Sequence, residues 1–128
     1  MRLAYLSKTE VKKHVGAIHV DGKLTLLQRK IANVLLWNAY DNLLKQEKHR
    51  IRVRDIASIV GFDSNDRELL KEGLRGLAKT PLEWNLLHED GEEEWGVAPM
   101  LSQAVIRGGY CSYAYAPDLR EKFFNPEI

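Results

Sequence analysis

The first strong pattern along the chain predicts a long helix. Apolar residues recur at helical spacing from residue 26 to residue 45 or 46, and Thr25 precedes them with Gln28 three positions later, the spacing of a capping box. One face carries Leu27, Ile31, Val34 and Leu35, and much of the other side carries Leu26, Leu36, Trp37, Tyr40 and Leu44. A helix that is apolar on both sides is expected to be buried from two directions.

A basic segment and two shorter helices follow. Residues 48–54 alternate basic and apolar side chains, which predicts a short strand or extended lead-in with one charged face. A short helix over residues 56–60, begun by Asp55 or the residues just before it, ends at Gly61. A third helix is predicted from residue 66 to residue 79, after a loop rich in capping residues.

From residue 82 the hydrophobic period changes to two. Residues 82–87 and 94–98 are predicted strands, joined by a hairpin turn at Asp90 and Gly91. A third strand is predicted over residues 104–115, and Pro117 fits the first position of a final helix that runs to Phe124.

This order of elements is that of a winged helix. Three helices precede a β-hairpin, and the second and third helices form a helix-turn-helix. A short strand or extended arm over residues 11–20 comes before them. The pattern therefore predicts an α+β fold with one winged-helix domain over residues 1–128, although helical bundles with an appended sheet share the same order.

Composition limits the class of protein. The chain has 128 residues, 45% of them hydrophobic, which suffices for one core. It contains no long apolar run and no signal peptide, so no membrane partner is expected. Its single cysteine, Cys111, cannot form an internal disulfide, which is typical of a reducing compartment such as the cytoplasm.

Charge is distributed unevenly. Residues 1–79 hold 16 Lys and Arg against 9 Asp and Glu, whereas residues 80–128 hold 3 against 9. The first part is therefore suited to facing a polyanion such as nucleic acid, and the second part is not.

Catalytic motifs are absent from the sequence. The four histidines are isolated, no glycine-rich loop carries the Lys-Ser/Thr pair that binds phosphate, and Cys111 has no basic residue beside it. The acidic residues between Glu89 and Glu94 are expected at a hairpin tip, where carboxylates are solvated. We therefore expect neither an enzyme nor a bound metal or cofactor.

Several stretches resemble the initiator proteins of iteron-bearing, theta-replicating plasmids. The resemblance extends from about Val11 to Pro126, and its weight lies in the order of the stretches. They are residues 11–14, 24–36, 70–77, 80–85, 101–109 and 113–120.

The resemblance implies a function and a wider architecture. Members of that family carry two winged-helix domains in tandem, so we expect this chain to be the first of two. In the family the first domain mainly dimerises and makes secondary contacts to the DNA backbone. Implied partners are double-stranded DNA at plasmid origin repeats and an operator, a second copy of the chain, and host replication proteins, all in the bacterial cytoplasm.

Two basic groups are candidates for contact with DNA. The first lies at four-residue intervals on the third helix, where Glu68 and Glu72 could pair with it instead; the second lies on the basic segment before the second helix. The predicted DNA-binding residues are Arg67, Lys71, Arg75 and Lys79, and then Arg50, Arg52 and Arg54. The acidic hairpin, taken as the wing, should be repelled by phosphates.

Two apolar groups are candidates for a dimer interface. The outer side of the long helix offers Leu36, Trp37, Tyr40 and Leu44, and the third strand, expected to be exposed with a free edge, offers Cys111, Tyr113 and Tyr115. Packing of the same residues inside the domain is an equally good interpretation for each one.

Two other functions stay open at this point. One is a stand-alone winged-helix transcriptional regulator that reads DNA with the helix over residues 66–79. The other is a module that binds only proteins.

Overall fold

The part of the chain that the structure describes contains four α-helices and six strands. The structure, a computed structural model, describes residues 18–20 and 23–124. Of the arm predicted over residues 11–20, only the last three residues are described, and they form a strand. The elements are β1 (Ile18–Val20), α1 (Leu26–Ala39), β2 (Lys48–Arg52), α2 (Val53–Val60), α3 (Arg67–Lys79), β3 (Pro81–Leu87), β4 (Glu93–Pro99), β5 (Gln103–Arg107), β6 (Tyr110–Ala114) and α4 (Pro117–Phe124).

The predicted starts of α1, α3 and α4 are confirmed to within one residue, whereas α2 begins at Val53, inside the predicted strand or lead-in over residues 48–54, and α1 is shorter than predicted. Thr25 and Gln28 form the capping box, with N–H to side-chain oxygen distances of 2.9 and 3.1 Å. The helix ends at Ala39 and tightens into a 3₁₀ turn, after which Leu43 is fully buried. Burial of Leu43 in the core, which helical periodicity does not reveal, accompanies this early end.

The helix-turn-helix has the predicted caps. Gly61 ends α2 with a left-handed φ of 98°, and the Asp66 side chain accepts a hydrogen bond from the Leu69 N–H at the start of α3.

The strands form two antiparallel sheets of three strands each. The hairpin sheet has the order β1-β3-β4, and the wing sheet has the order β2-β6-β5. The single strand predicted over residues 104–115 is wrong, because the chain reverses at Gly108 and Gly109 and pairs Arg107 with Tyr110. Gly108 has a φ of 57°, which suits a two-residue hairpin turn.

The wing is not the acidic hairpin. Strand β2 lies between α1 and α2 in sequence and pairs with β6, so the β5–β6 hairpin takes the position of the wing. The β3–β4 hairpin is inserted between α3 and the wing, in the other sheet. The prediction that the acidic hairpin forms the wing is therefore corrected.

The main core lies between the three helices and the inner face of the wing sheet. Helix residues Ile31, Leu35, Ile56, Leu70 and Leu77 are completely buried there. The strand predicted to be exposed is also part of this core: Cys111, Tyr113 and Tyr115 are 0%, 0% and 5% exposed. Since β6 is the central strand of its sheet, it has no free edge, and the dimer role predicted for these three residues is wrong.

The Tyr113 hydroxyl fastens the sheet to α1. It donates a hydrogen bond to the Leu35 carbonyl and accepts one from the Asn38 side-chain amide at 3.0 Å. The same amide also donates to the Arg50 carbonyl at 3.1 Å. A buried phenol with both partners supplied fixes the distance between helix and sheet.

A smaller cluster joins the hairpin sheet to α4. It contains Leu82, Trp84 and Leu119. A Cβ at Gly96 would lie 2.1 Å from the Trp84 ring, so only glycine lets the indole lie flat on β4.

Glu94 is the polar link between the same two elements. Its carboxylate accepts hydrogen bonds from the Trp84 indole at 2.7 Å, and it pairs with Lys122 and His88 at 2.9 Å each. The Lys122 side chain is only 7% exposed. The hydrogen bonds from Lys122, His88 and Trp84 lower the pKa of Glu94 to about 2.

Replacing Lys122 with Met should raise the pKa of Glu94 from about 2 toward its ordinary value of 4.5, because the largest stabilising contact of the carboxylate is lost. Side-chain carboxyl NMR against pH measures the change. Because the folded pKa is lowered, stability from Glu94 is present above pH 4.5 and is lost as the pH falls toward 2. Arg107→Met is the control, and an equal effect there would contradict the assignment.

His49 is a buried histidine on the inner face of β2. It is 4% exposed beside Tyr113 and Tyr115, and its Nε2 has no hydrogen-bond partner among the described residues. Burial, and then the charge of Arg120, lower its pKa from 6.5. An isolated histidine in the sequence predicts a surface or capping imidazole, and this prediction is wrong for His49.

The His49→Phe variant should lose much of the acid sensitivity of folding. Because the folded pKa is lowered, stability from neutral His49 is complete above pH 6.5 and falls as the pH drops below that value. The slope attributable to this residue is at most about 1.4 kcal/mol per pH unit. Urea denaturation between pH 5 and 8 tests this, and an unchanged slope in the variant would count against it.

Candidate nucleic-acid interface

The outer face of the wing sheet is strongly basic. Burial alternates along β2, so Ile51 and His49 point inward and the cations point to solvent. The register places Arg107 of β5 and Tyr110 of β6 in the same row as Arg52. We call this surface the basic sheet face; it comprises Lys48, Arg50, Arg52, Arg107 and Tyr110.

No outward position on these three strands carries a carboxylate. Beside the basic residues, the outward positions are Gln103, Val105, Ser112 and Ala114. A row of cations without interleaved acids presents a positive potential to a polyanion.

Local contacts hold two of these arginines in place. The Arg50 guanidinium lies 3.6 Å from the centroid of the Tyr110 ring, a cation–π contact that limits its rotamers. Arg52 pairs with Asp55 at 3.0 Å, which reduces its net contribution. Arg54 is exposed in the first turn of α2, next to the end of β2.

The basic stripe on α3 is partly neutralised. Glu68 lies 3.2 Å from Arg75 and 3.8 Å from Lys71, so the ion pairs expected for Glu68 are present. Arg67 is half-buried and Lys79 is exposed at the two ends of the helix. The two central cations are thus less available to phosphate than those of the basic sheet face.

The acidic hairpin carries its charges at the turn. Glu89, Asp90, Glu92 and Glu93 are exposed, whereas Glu94 is turned toward α4. The expectation that these carboxylates are solvated therefore holds for the turn and is wrong for Glu94.

The apolar side predicted for the long helix is less exposed than expected, and two of its four residues, Tyr40 and Leu44, lie beyond the end of α1. Leu36 and Tyr40 pack against the core, Trp37 is half-buried, and only Leu44 is clearly exposed, at 49%. Contact between α1 and β2 accounts for part of this burial. An interface role for these four residues stays a prediction.

The outer face of the β3–β4 hairpin carries an apolar surface with two side chains more exposed than Leu44, and the sequence pattern did not predict it. Leu87, Trp95 and Val97 are 76%, 63% and 48% exposed. Strand β4 is also the edge of its sheet. The available signal was the small residue Gly96 between Trp95 and Val97, because the Trp84 ring of β3 occupies the inner face at that position.

Cys111 is a packed thiol. Burial raises its pKa to about 11, so the thiolate is not formed near neutral pH. In the part of the chain that the structure describes, no group of three or more His, Cys, Asp or Glu is arranged to hold a metal ion. No helix within the same part is long and apolar enough to cross a membrane.

Comparison with known proteins identifies the fold and the family. The crystal structure of the WH1 domain of MSBI1.176, a replication protein isolated from a multiple sclerosis patient, is similar with a TM-score of 0.56 at 15% sequence identity. The alignment covers 80% of this chain and 88% of that one. A search of curated proteins gave no match. The family described as "Initiator Replication protein, WH1" matches residues 10–127, and the chain therefore belongs to the WH1 family of replication initiators, with the winged-helix fold.

Proposed function

We propose that this domain dimerises and adds sequence-independent contacts to the DNA backbone within a replication initiator. The observation that carries the DNA role is the basic sheet face, with four outward cations and no carboxylate on its three strands. Phosphate contacts of this kind position a protein on a duplex without selecting its sequence.

The basic sheet face is favoured over α3 as the DNA-contacting surface because the central cations of α3 are paired with Glu68. Lys71 and Arg75 must leave Glu68 before they bind phosphate, whereas Arg50 is already held by Tyr110. This difference also disfavours a stand-alone regulator that reads bases with α3.

The wider setting is part of the same proposal. The domain is the first of two winged-helix domains, and the initiator acts on plasmid origin repeats and an operator in the bacterial cytoplasm with host replication proteins. Family membership and the resemblance of the sequence support this setting.

The double variant Arg50→Ala/Arg107→Ala should weaken binding to random and operator duplexes alike. The slope of log affinity against log salt should fall by about 2, since two phosphate contacts are lost. Fluorescence anisotropy titrations at salt concentrations between about 50 and 300 mM measure both the affinity and its salt dependence.

The matched control is Lys71→Ala/Arg75→Ala, which removes two cations that already pair with Glu68. Its effect should be smaller. A larger effect in the control, or a loss confined to one DNA sequence, would show that α3 is the DNA-contacting element and overturn the choice of surface.

For dimerisation, the β4 edge suits a second copy of the same strand. An antiparallel pair centred on Gly96 places Trp95 of each copy opposite Val97 of the other. The same register places Glu93 and Glu94 opposite Pro99 and Ala98, so like charges are kept apart. The exposed Trp95 and Val97 then become buried between the two copies.

The Val97→Lys variant should shift the domain from dimer to monomer, because a charge enters an apolar contact. Sedimentation equilibrium measures the association. Val105→Lys is a matched control, since Val105 is 49% exposed against 48% for Val97 and lies on the wing sheet. Leu44→Lys tests the alternative interface that was predicted for the long helix, since Leu44 lies in the turn that follows α1. Loss of the dimer with Leu44→Lys alone would move the interface there.

A further inference from the structure

A groove between α3 and β5 has an apolar floor and a basic rim. Its volume is about 280 Å³. Leu74, Ala78, Ala104 and Ile106 form the floor, and Lys71 and Arg75 form the rim. This combination fits an aliphatic side chain flanked by carboxylates. Nucleic-acid phosphate has no apolar group for the floor.

The β3–β4 hairpin turn has the complementary chemistry. Leu87, the last residue of β3, is 76% exposed, the most of any large apolar side chain in the described part of the chain. It lies opposite Glu93 in the strand register, and the turn beside it carries Glu89, Asp90 and Glu92, all exposed. We call residues 87–93 the acidic tip.

None of the described residues that line the groove belongs to the acidic tip of the same chain. Strand β3 begins two residues after α3 ends, and its seven residues carry the tip about 20 Å from that point. A hairpin of paired strands does not fold back on itself. The occupant of the groove must therefore come from another molecule.

We propose that the acidic tip of one copy docks in the α3–β5 groove of a second copy. Leu87 enters the apolar floor, and the carboxylates of the tip pair with Lys71 and Arg75. Lys71 and Arg75 must leave their ion pairs with Glu68 to bind the tip, as they must to bind phosphate. The exposed pairs are weak, and burial of Leu87 on the apolar floor favours the exchange, a contribution that phosphate does not offer. The contact joins two different surfaces, so repeating it builds a ring or an open chain of copies, whereas the β4 pairing builds a two-fold dimer.

Charge reversal on each side separates this contact from the β4 dimer. Both variants are made in the Val97→Lys background, where β4 pairing is removed. The tip variant is Glu89→Lys/Glu92→Lys, and the groove variant is Lys71→Glu/Arg75→Glu. All four positions are exposed, so the fold is retained.

Sedimentation velocity at low salt is expected to show weak self-association of the Val97→Lys parent. Each charge reversal should reduce the association constant about tenfold or more, and high salt should reduce it as well. Mixing the tip variant with the groove variant should restore association, because the reversed tip now matches the reversed groove. Leu87→Ala should weaken association without changing charge.

Three outcomes would overturn the proposal. In the first, the Val97→Lys parent does not associate. In the second, each charge reversal weakens association but the mixture of tip variant and groove variant stays monomeric. In the third, the groove variant loses duplex binding while its self-association is unchanged. The last result would assign the groove to DNA. Since the β4 dimer is absent from every sample, none of these results bears on the proposed dimerisation.

Discussion

The hydrogen bonds of the Tyr113 hydroxyl determine which face of the wing sheet is buried against the helices. They join the central strand of the wing sheet to the middle of α1, where the phenol is completely buried. Side chains alternate along a strand, so fixing Tyr113 inside fixes Ser112 and Ala114 outside. The pairing of β6 with β2 then forces Arg50 to the outer face. The basic surface is thus a consequence of how one tyrosine is buried.

Local sequence signals were sufficient to predict most helix ends and the part of the basic sheet face that lies on β2. The Thr25 capping box, Gly61 and Asp66 act through contacts within a few residues, so they are readable without tertiary structure. Alternation over residues 48–52 likewise showed that the arginines of β2 share a face. Arg107 was not found, because it is the only cation of its strand and joins the others only through strand pairing.

Contacts between residues distant in sequence determine three features that local patterns do not predict: the burial of β6, the exposed apolar face of the hairpin and the identity of the wing. A period of two shows that Cys111 and Tyr113 share a face, but it does not say whether that face is buried or exposed. The exposed apolar face of the hairpin has the same origin: Trp84 occupies the inner surface against Gly96, and this leaves Trp95 and Val97 on the outside. The identity of the wing depended on which strand β2 pairs with, which no local pattern records.

Glu94 and Trp95 are neighbours on β4 whose side chains point to opposite faces of the hairpin sheet. The first is tied to α4 through Lys122, and the second stands on the outward apolar surface. Displacing α4 would break the contact between Lys122 and Glu94, while β4 stays paired with β3. The final helix therefore packs on the face of β4 opposite the outward apolar surface, so a change in how α4 packs reaches the strand that carries Trp95 through Glu94 and through the apolar cluster.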